Sequence, residues 1–378
     1  MSSSPSPTAS RLADRPSIIH PVVDFLCVGG LSLLVFVPML LSGRTDLVFI
    51  GAGAQAFLAT AINMPHFMAS YRLVYRSRET IMKHKWASIY VPSILIVYSA
   101  IALWETQSSR VLLAILIAVS SAYLAWHYTG QVWGMMASYA YLGGARFEAV
   151  ERTLIRTGLR ILLAWQVTWF LYTQLVNPDK IRPLYVLVSA GTAVAFVLGA
   201  IGIVRMWRRT GKMLPAQALV AWLAIFAWYA VLARDPKALF WVQIAHAIQY
   251  LAFPFRVELN RSKRSSRSVV GHMALYVAGL LLVSVLIAKV VPASAMSVVG
   301  NMFGEEPAKA APIIILMIIN IHHYFTDGVI WKLSNPEVRQ ELFAHVKSAR
   351  SAPAVPAPPV DQIPAQPRVS RKASQARR

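Results

Sequence analysis

Residues 320–332, Asn-Ile-His-His-Tyr-Phe-Thr-Asp-Gly-Val-Ile-Trp-Lys, place two adjacent histidines and a carboxylate directly after the apolar run 312–319. Ionisable groups at that depth in hydrocarbon are costly and are candidates for function by default. On a helix, Asn320, His323 and Asp327 share one face. His322 then points about 100° away, at 3.6 residues per turn. Imidazole with carboxylate suits iron, zinc, manganese or copper, whereas a softer metal would call for thiolate. The same pair also suits a proton relay, because histidine changes charge near neutral pH.

Four of the nine histidines, His20, His84, His272 and His345, fall in loops or at the ends of apolar runs, where water or headgroups can satisfy them. His66, His127, His246, His322 and His323 fall inside such runs. With a rise of 1.5 Å per residue, His246 stands roughly 15 Å from the basic end of its run, His323 roughly 13 Å and His66 roughly 9 Å. Several helices can therefore deliver imidazoles to one layer of a bundle, the arrangement that core metal and cofactor sites use. Polar company is spaced on the same faces: Asn63 and Ser70 around His66, Tyr123 and Gln131 around His127, and Gln243, Gln249 and Tyr250 around His246. Such groups are expected to hold the second ring nitrogen and set the tautomer. The expected metal ligands are His66, His127, His246, His322, His323 and Asp327. Tyr250, Tyr324 and Asp327 are the expected catalytic groups, with Gln131 and Gln249 beside the cofactor. Arg72 and Arg76, within the cluster Tyr71, Arg72, Tyr75, Arg76 and Arg78, are candidates for an anionic cofactor or a phosphate headgroup. The expected cofactor is iron, non-haem or haem, or another transition metal.

The elements that must position these residues are membrane helices. The chain has 378 residues, of which 56% are hydrophobic and 14% charged, with a mean hydropathy of +0.51. Those values belong to membrane proteins. Ten spans of roughly twenty residues are expected, at about 22–42, 47–70, 86–104, 111–142, 161–176, 184–206, 215–233, 238–255, 269–291 and 312–331. The fourth is too long for one straight crossing, so it tilts, projects, or breaks near Thr129 and Gly130. Residues 143–160 have the spacing of an amphipathic surface helix. The sixth is rich enough in Gly and Ala for close helix packing. Pro254 is placed to kink the eighth beside His246. Asp24, near the inner interface, is expected to snorkel or to pair with a basic loop residue.

The domain reading is a polar segment 1–21, a transmembrane domain 22–333, a short cytoplasmic helix within 334–348 and a disordered basic tail 349–378. Lys and Arg concentrate in alternate loops, such as Arg72, Arg76, Arg78, Lys83 and Lys85. By the positive-inside rule both termini face the cytoplasm, and the short loops fit a bacterial inner membrane. The formal charge of +21 thus points to anionic lipid headgroups rather than to nucleic acid. The single cysteine, Cys27, excludes an internal disulfide framework.

No Walker motif, dinucleotide fingerprint, Cys-x-x-Cys or nucleophile elbow is present, which argues against soluble-type nucleotide chemistry. The clustered His-x-x-His-His boxes of membrane desaturases, and the His-x-His helix and His-Pro-x-x-Tyr segment of haem-copper oxidases, are also missing. The leading expectation is a metal-dependent oxidoreductase acting on a lipid or isoprenoid. A proton-coupled transporter using His323 and Asp327, and a non-catalytic membrane scaffold, stay open beside it.

Overall fold

A computed structural model describes residues 17–44, 50–175, 177–333 and 335–346. The expected tail and most of the polar N-terminal segment lie outside the described residues. Among the described residues there is no strand. Eight helices are long and apolar enough to cross a bilayer. They are α1 (Pro21–Ser42), α4 (Trp86–Glu105), α5 (Val111–Leu142), α7 (Pro178–Thr210), α8 (Ala216–Arg234), α9 (Pro236–Ser262), α10 (Val269–Phe303) and α11 (Glu305–Ile330). The protein is an all-helical, multi-pass membrane protein. The other two expected spans are helical as well, α2 at 52–74 and α6 at 149–175. They are more polar: α2 carries Asn63, His66 and Ser70, and α6 carries Arg156, Arg160 and Gln166. Two short helices, α3 (Arg78–Lys83) and α12 (Pro336–Leu342), complete the described chain.

Several expectations about helix limits are corrected. α5 is unbroken over 32 residues, about 48 Å at 1.5 Å per residue, so it does not break near Thr129 and Gly130 and must tilt in, or project beyond, a hydrocarbon core of about 30 Å. Residues 149–160 do not form a separate surface helix. They are the first turns of α6, where Ile155, Leu159 and Leu162 are buried. The reason is packing on α7, so close that a Cβ on Gly158 would lie 2.5 Å from the Ala195 carbonyl oxygen. α10 continues past 291 to Phe303, and Gly304, at φ 91°, turns the chain directly into α11. Pro254 lies within a continuous helix.

Proline shapes three other helices. A widened turn at Ala59–Asn63 precedes Pro65, another at Trp86–Tyr90 precedes Pro92, and a third at Leu286–Val290 precedes Pro292. Proline lacks the N–H for the carbonyl four residues back, and its ring crowds that carbonyl. Opening the turn by one residue makes room, a device common at functional sites. In α2 it ends three residues before His66.

α1 is kinked at Gly29, whose φ of 152° no other residue adopts readily. A Cβ there would meet Ala224 Cβ at 2.7 Å and the Val220 carbonyl oxygen at 2.8 Å, so α1 and α8 touch through this glycine. Asp24 neither snorkels nor pairs with a loop base. Its carboxylate accepts the backbone N–H groups of Ile18 at 2.6 Å and Ile19 at 2.9 Å. Arg256 of α9 donates to the carbonyls of the same two residues. That exchange folds residues 17–20 back onto the bundle.

Candidate metal centre

Three helices converge on one buried point. His66 from α2, His127 from α5, and His323 and Asp327 from α11 each place a ligand atom so that all four atoms lie within 4.8 Å of one another. The four residues are at most 8% exposed. This buried His/Asp group can hold a metal ion. His246 of α9 packs against it, its ring centroid 4.8 Å from that of His127 and 5.1 Å from that of His66. The rings of His66 and His323 are 4.3 Å apart.

The hydrogen bonding of the group is lopsided, and that is its chemical signature. His66 Nδ1 donates to the Asn63 carbonyl at 3.3 Å, which leaves Nε2 as the bare lone pair. Among the described residues, no protein group hydrogen-bonds His66 Nε2, His127 Nε2, or either ring nitrogen of His246 and His323. Buried side-chain nitrogens in folded proteins are almost always satisfied. A neutral imidazole offers one lone pair, so His66, His127 and His323 can each give one nitrogen to a cation beside Asp327.

Asp327 is equally one-sided. Its Oδ1 accepts from Ser70 Oγ at 2.6 Å and from Tyr250 OH at 2.9 Å. Tyr250 OH in turn accepts from Trp331 Nε1 at 2.7 Å. Oδ2 faces the imidazoles, 3.4 Å from His323 Nε2 and 3.8 Å from His127 Nε2. One oxygen is held and the other is presented, as a ligating carboxylate requires.

Not every expected site residue joins this group. His322 is turned away from it: its Nε2 bonds the Ala87 carbonyl at 2.9 Å and its ring stacks on Tyr71. The 100° step between neighbours decides this, since α11 can present only one of them to the bundle centre. Gln131 and Gln249 do not touch a ring nitrogen. Gln131 Nε2 donates to Gln249 Oε1 at 2.9 Å and to the His246 carbonyl at 3.2 Å, and Gln249 Nε2 donates to the Val28 carbonyl at 2.5 Å. The kink at Gly29 is next to that carbonyl, so the two amides tie α5 and α9 to α1. Arg72 pairs with Glu258 at 2.7 Å and Arg76 with Glu341 at 2.8 Å. Both line a separate groove with Tyr71, Tyr75 and Tyr276. Tyr324 packs its ring 4.7 Å from that of His127, and Tyr250 orients Asp327.

Trp331 and the role of Ser70 were not foreseen. Ser70 shares a face with His66 but serves Asp327 across the helix interface. Trp331 lies four residues after Asp327, a spacing that marks it as a same-face neighbour. Fold and site define a membrane protein with a buried group that can hold a metal ion. No family model, curated protein or solved structure matches the chain.

Proposed function

We propose that the protein is a membrane-bound metal-dependent oxidoreductase. The metal, most in keeping with the ligands, is non-haem iron bound by His66, His127, His323 and Asp327, with His246 in reserve beside them. The substrate is a lipid or isoprenoid, and molecular oxygen is the oxidant. The observation that carries this reading is the set of unpaired imidazole nitrogens facing the free oxygen of Asp327. A donor set of imidazole and carboxylate without thiolate suits iron, and a closed structural zinc site more often includes cysteine. Close packing of these four rings leaves little width for a porphyrin, which weighs against haem.

When bound, such a metal supplies redox chemistry that no side chain here can perform. The chain's own residues hold the ligands, through Asn63 at His66 and through Ser70 and Tyr250 at Asp327, and they exclude water from the centre. The concentration of Arg and Lys in alternate loops supports placing those loops in the cytoplasm, and a bacterial inner membrane is part of the same proposal.

The test is elemental analysis with an optical spectrum on detergent-purified protein, alongside His323→Ala and His322→Ala. Stoichiometric iron in the wild type and in His322→Ala, lost in His323→Ala, is the expected result. Wild-type protein that is metal-free after expression in iron-replete medium, and that takes up no iron anaerobically, would overturn the reading.

A further inference from the structure

A cavity of about 240 Å³ opens beside the centre along the flank of α5, and His127 and Asp327 line its inner end. His127 is 5% exposed there and its Nε2 has no partner. Gly130 and Gly134 stand one turn apart on the cavity wall, each with nothing within 4 Å of the place a Cβ would occupy. Ser138 continues the row one turn further. Rows of small residues usually let membrane helices approach one another. Among the described residues, no neighbouring side chain fills this one. Trp126, 49% exposed, forms the outer lip at the depth of the centre, and the exposed Lys332 stands where α11 ends.

Pockets that enclose a whole drug-sized ligand measure roughly 300–1,000 Å³. This one is smaller, so it takes part of a molecule whose remainder stays outside. Its other walls are mostly apolar, with Met135, Phe253 and Leu333, and include Gln131 and Tyr250. It lies along α5, a helix long and apolar enough to cross a bilayer. We propose that the cavity is a lateral portal admitting one hydrocarbon chain of an anionic membrane amphiphile. Lys332 holds the head, the chain lies along Gly130 and Gly134, and a chain carbon is brought to His127 and Asp327. This rests on the proposed metal-dependent reading and adds the substrate class to it. The size gate is the absence of side chains at Gly130 and Gly134.

The experiment uses a long-chain fatty acid carrying a diazirine in its chain, irradiated with the full-length protein in nanodiscs and mapped by peptide mass spectrometry. Labels are expected on residues 126–138 and 327–333. Gly134→Leu and Gly130→Leu, which fill the same space from two positions, are each expected to lose those labels while keeping the metal. Gly134→Ala, whose single methyl meets nothing, keeps them. His323→Ala should lose the metal and keep the labels, so failure of the metal reading and failure of the portal are separate results. A fatty alcohol probe of equal length labels less than the acid, and Lys332→Glu removes that difference. Labels confined to other surfaces, or unchanged in both leucine variants, would overturn the portal. Equal labelling by acid and alcohol would overturn the role of Lys332.

Discussion

Tyr250→Phe tests the centre most directly, because it removes one oxygen atom and leaves every proposed ligand in place. That hydroxyl donates to Asp327 Oδ1 and accepts from Trp331 Nε1. Losing a group that orients a ligand typically costs about 10–100-fold in metal affinity. At 1.4 kcal/mol per tenfold, that is about 1.4–2.8 kcal/mol. The variant also strands the Trp331 indole N–H, and an unsatisfied buried donor costs about 1–3 kcal/mol of stability. Trp331 is only partly buried, so the lower half of that range applies. Affinity is read by competition against a chelator of known strength, and stability by thermal melting of the metal-free protein. Ser70→Ala provides the contrast. It removes the other donor to Oδ1 without touching Trp331, so it should weaken the metal comparably and lower the metal-free melt less. Because both hydroxyls act on one oxygen, the double variant should depart from additivity, as contacting groups in one network do. Wild-type affinity in Tyr250→Phe, with a lowered melting temperature, would refute the claim that Asp327 is a positioned ligand.

Other outcomes follow from the same geometry. Metal removal should lower the melting temperature of the wild type, since free metal at 100 times its Kd stabilises by about 2.7 kcal/mol; an unchanged melt would mean that the metal does not bind the folded bundle. His246→Ala should keep most of the metal, because its ring lies beside the four converging ligand atoms, and metal loss equal to that of His323→Ala would place it among the ligands. Gly29→Ala should destabilise by about 1–3 kcal/mol, from a disfavoured φ and the contact with Ala224, and a neutral melt would deny the close approach of α1 and α8. Arg209 bonds the fully buried Glu151 at 2.8 Å and holds its carboxyl below the usual carboxylate range. A depressed carboxyl contributes stability that is complete above its unfolded value of about 4.3 and is lost as pH falls through the folded one. Glu151→Gln should therefore flatten the acid limb of the stability profile, and an unaltered limb would show that the pair contributes nothing.

The helical architecture was legible because hydropathy reports it directly, and the histidines stood out because apolar runs rarely contain them. Which helices converge was a weaker inference, resting on depths for His66, His246 and His323 alone; it gave none for His127 and did not separate His323 from His322. What the sequence concealed is how far each partner reaches. Ser70 and Gln131 sit on the same faces as His66 and His127, and local spacing assigns them to those rings. In the bundle their nearest acceptors belong to other helices, Asp327 for Ser70 and Gln249 for Gln131. Likewise, nothing in the spacing of Ile155 and Leu159 separates a surface helix from the start of α6. Only the close approach permitted by Gly158 makes α7 the surface they bury against.

The distribution of the ligands explains why such a site is compatible with a stable bundle. Lipid tails are as apolar as leucine, so little hydrophobic force drives membrane helices together, and packing and polar contacts must do it. α2, α5 and α11 each bring at least one ligand to the centre, and they are far apart along the chain. An ion bound to all three joins loops of many tens of residues, and loops of that length gain most from a clip in the chain-entropy picture. Without an ion, ring nitrogens of His66, His127, His246 and His323 stay buried with no hydrogen bond, in a place where each unsatisfied polar group is costly. Ligation would relieve that strain and close the bundle in one event. The polar shell of Asn63, Ser70, Tyr250 and Trp331 is then what the apo state relies on, because it holds His66 and Asp327 in position before any ion arrives. By this argument Ser70→Ala combined with Tyr250→Phe should slow metal uptake as well as weaken it. Uptake followed by stopped-flow absorbance would decide the matter, and an unchanged on-rate would show that the ion organises its ligands rather than finding them in place.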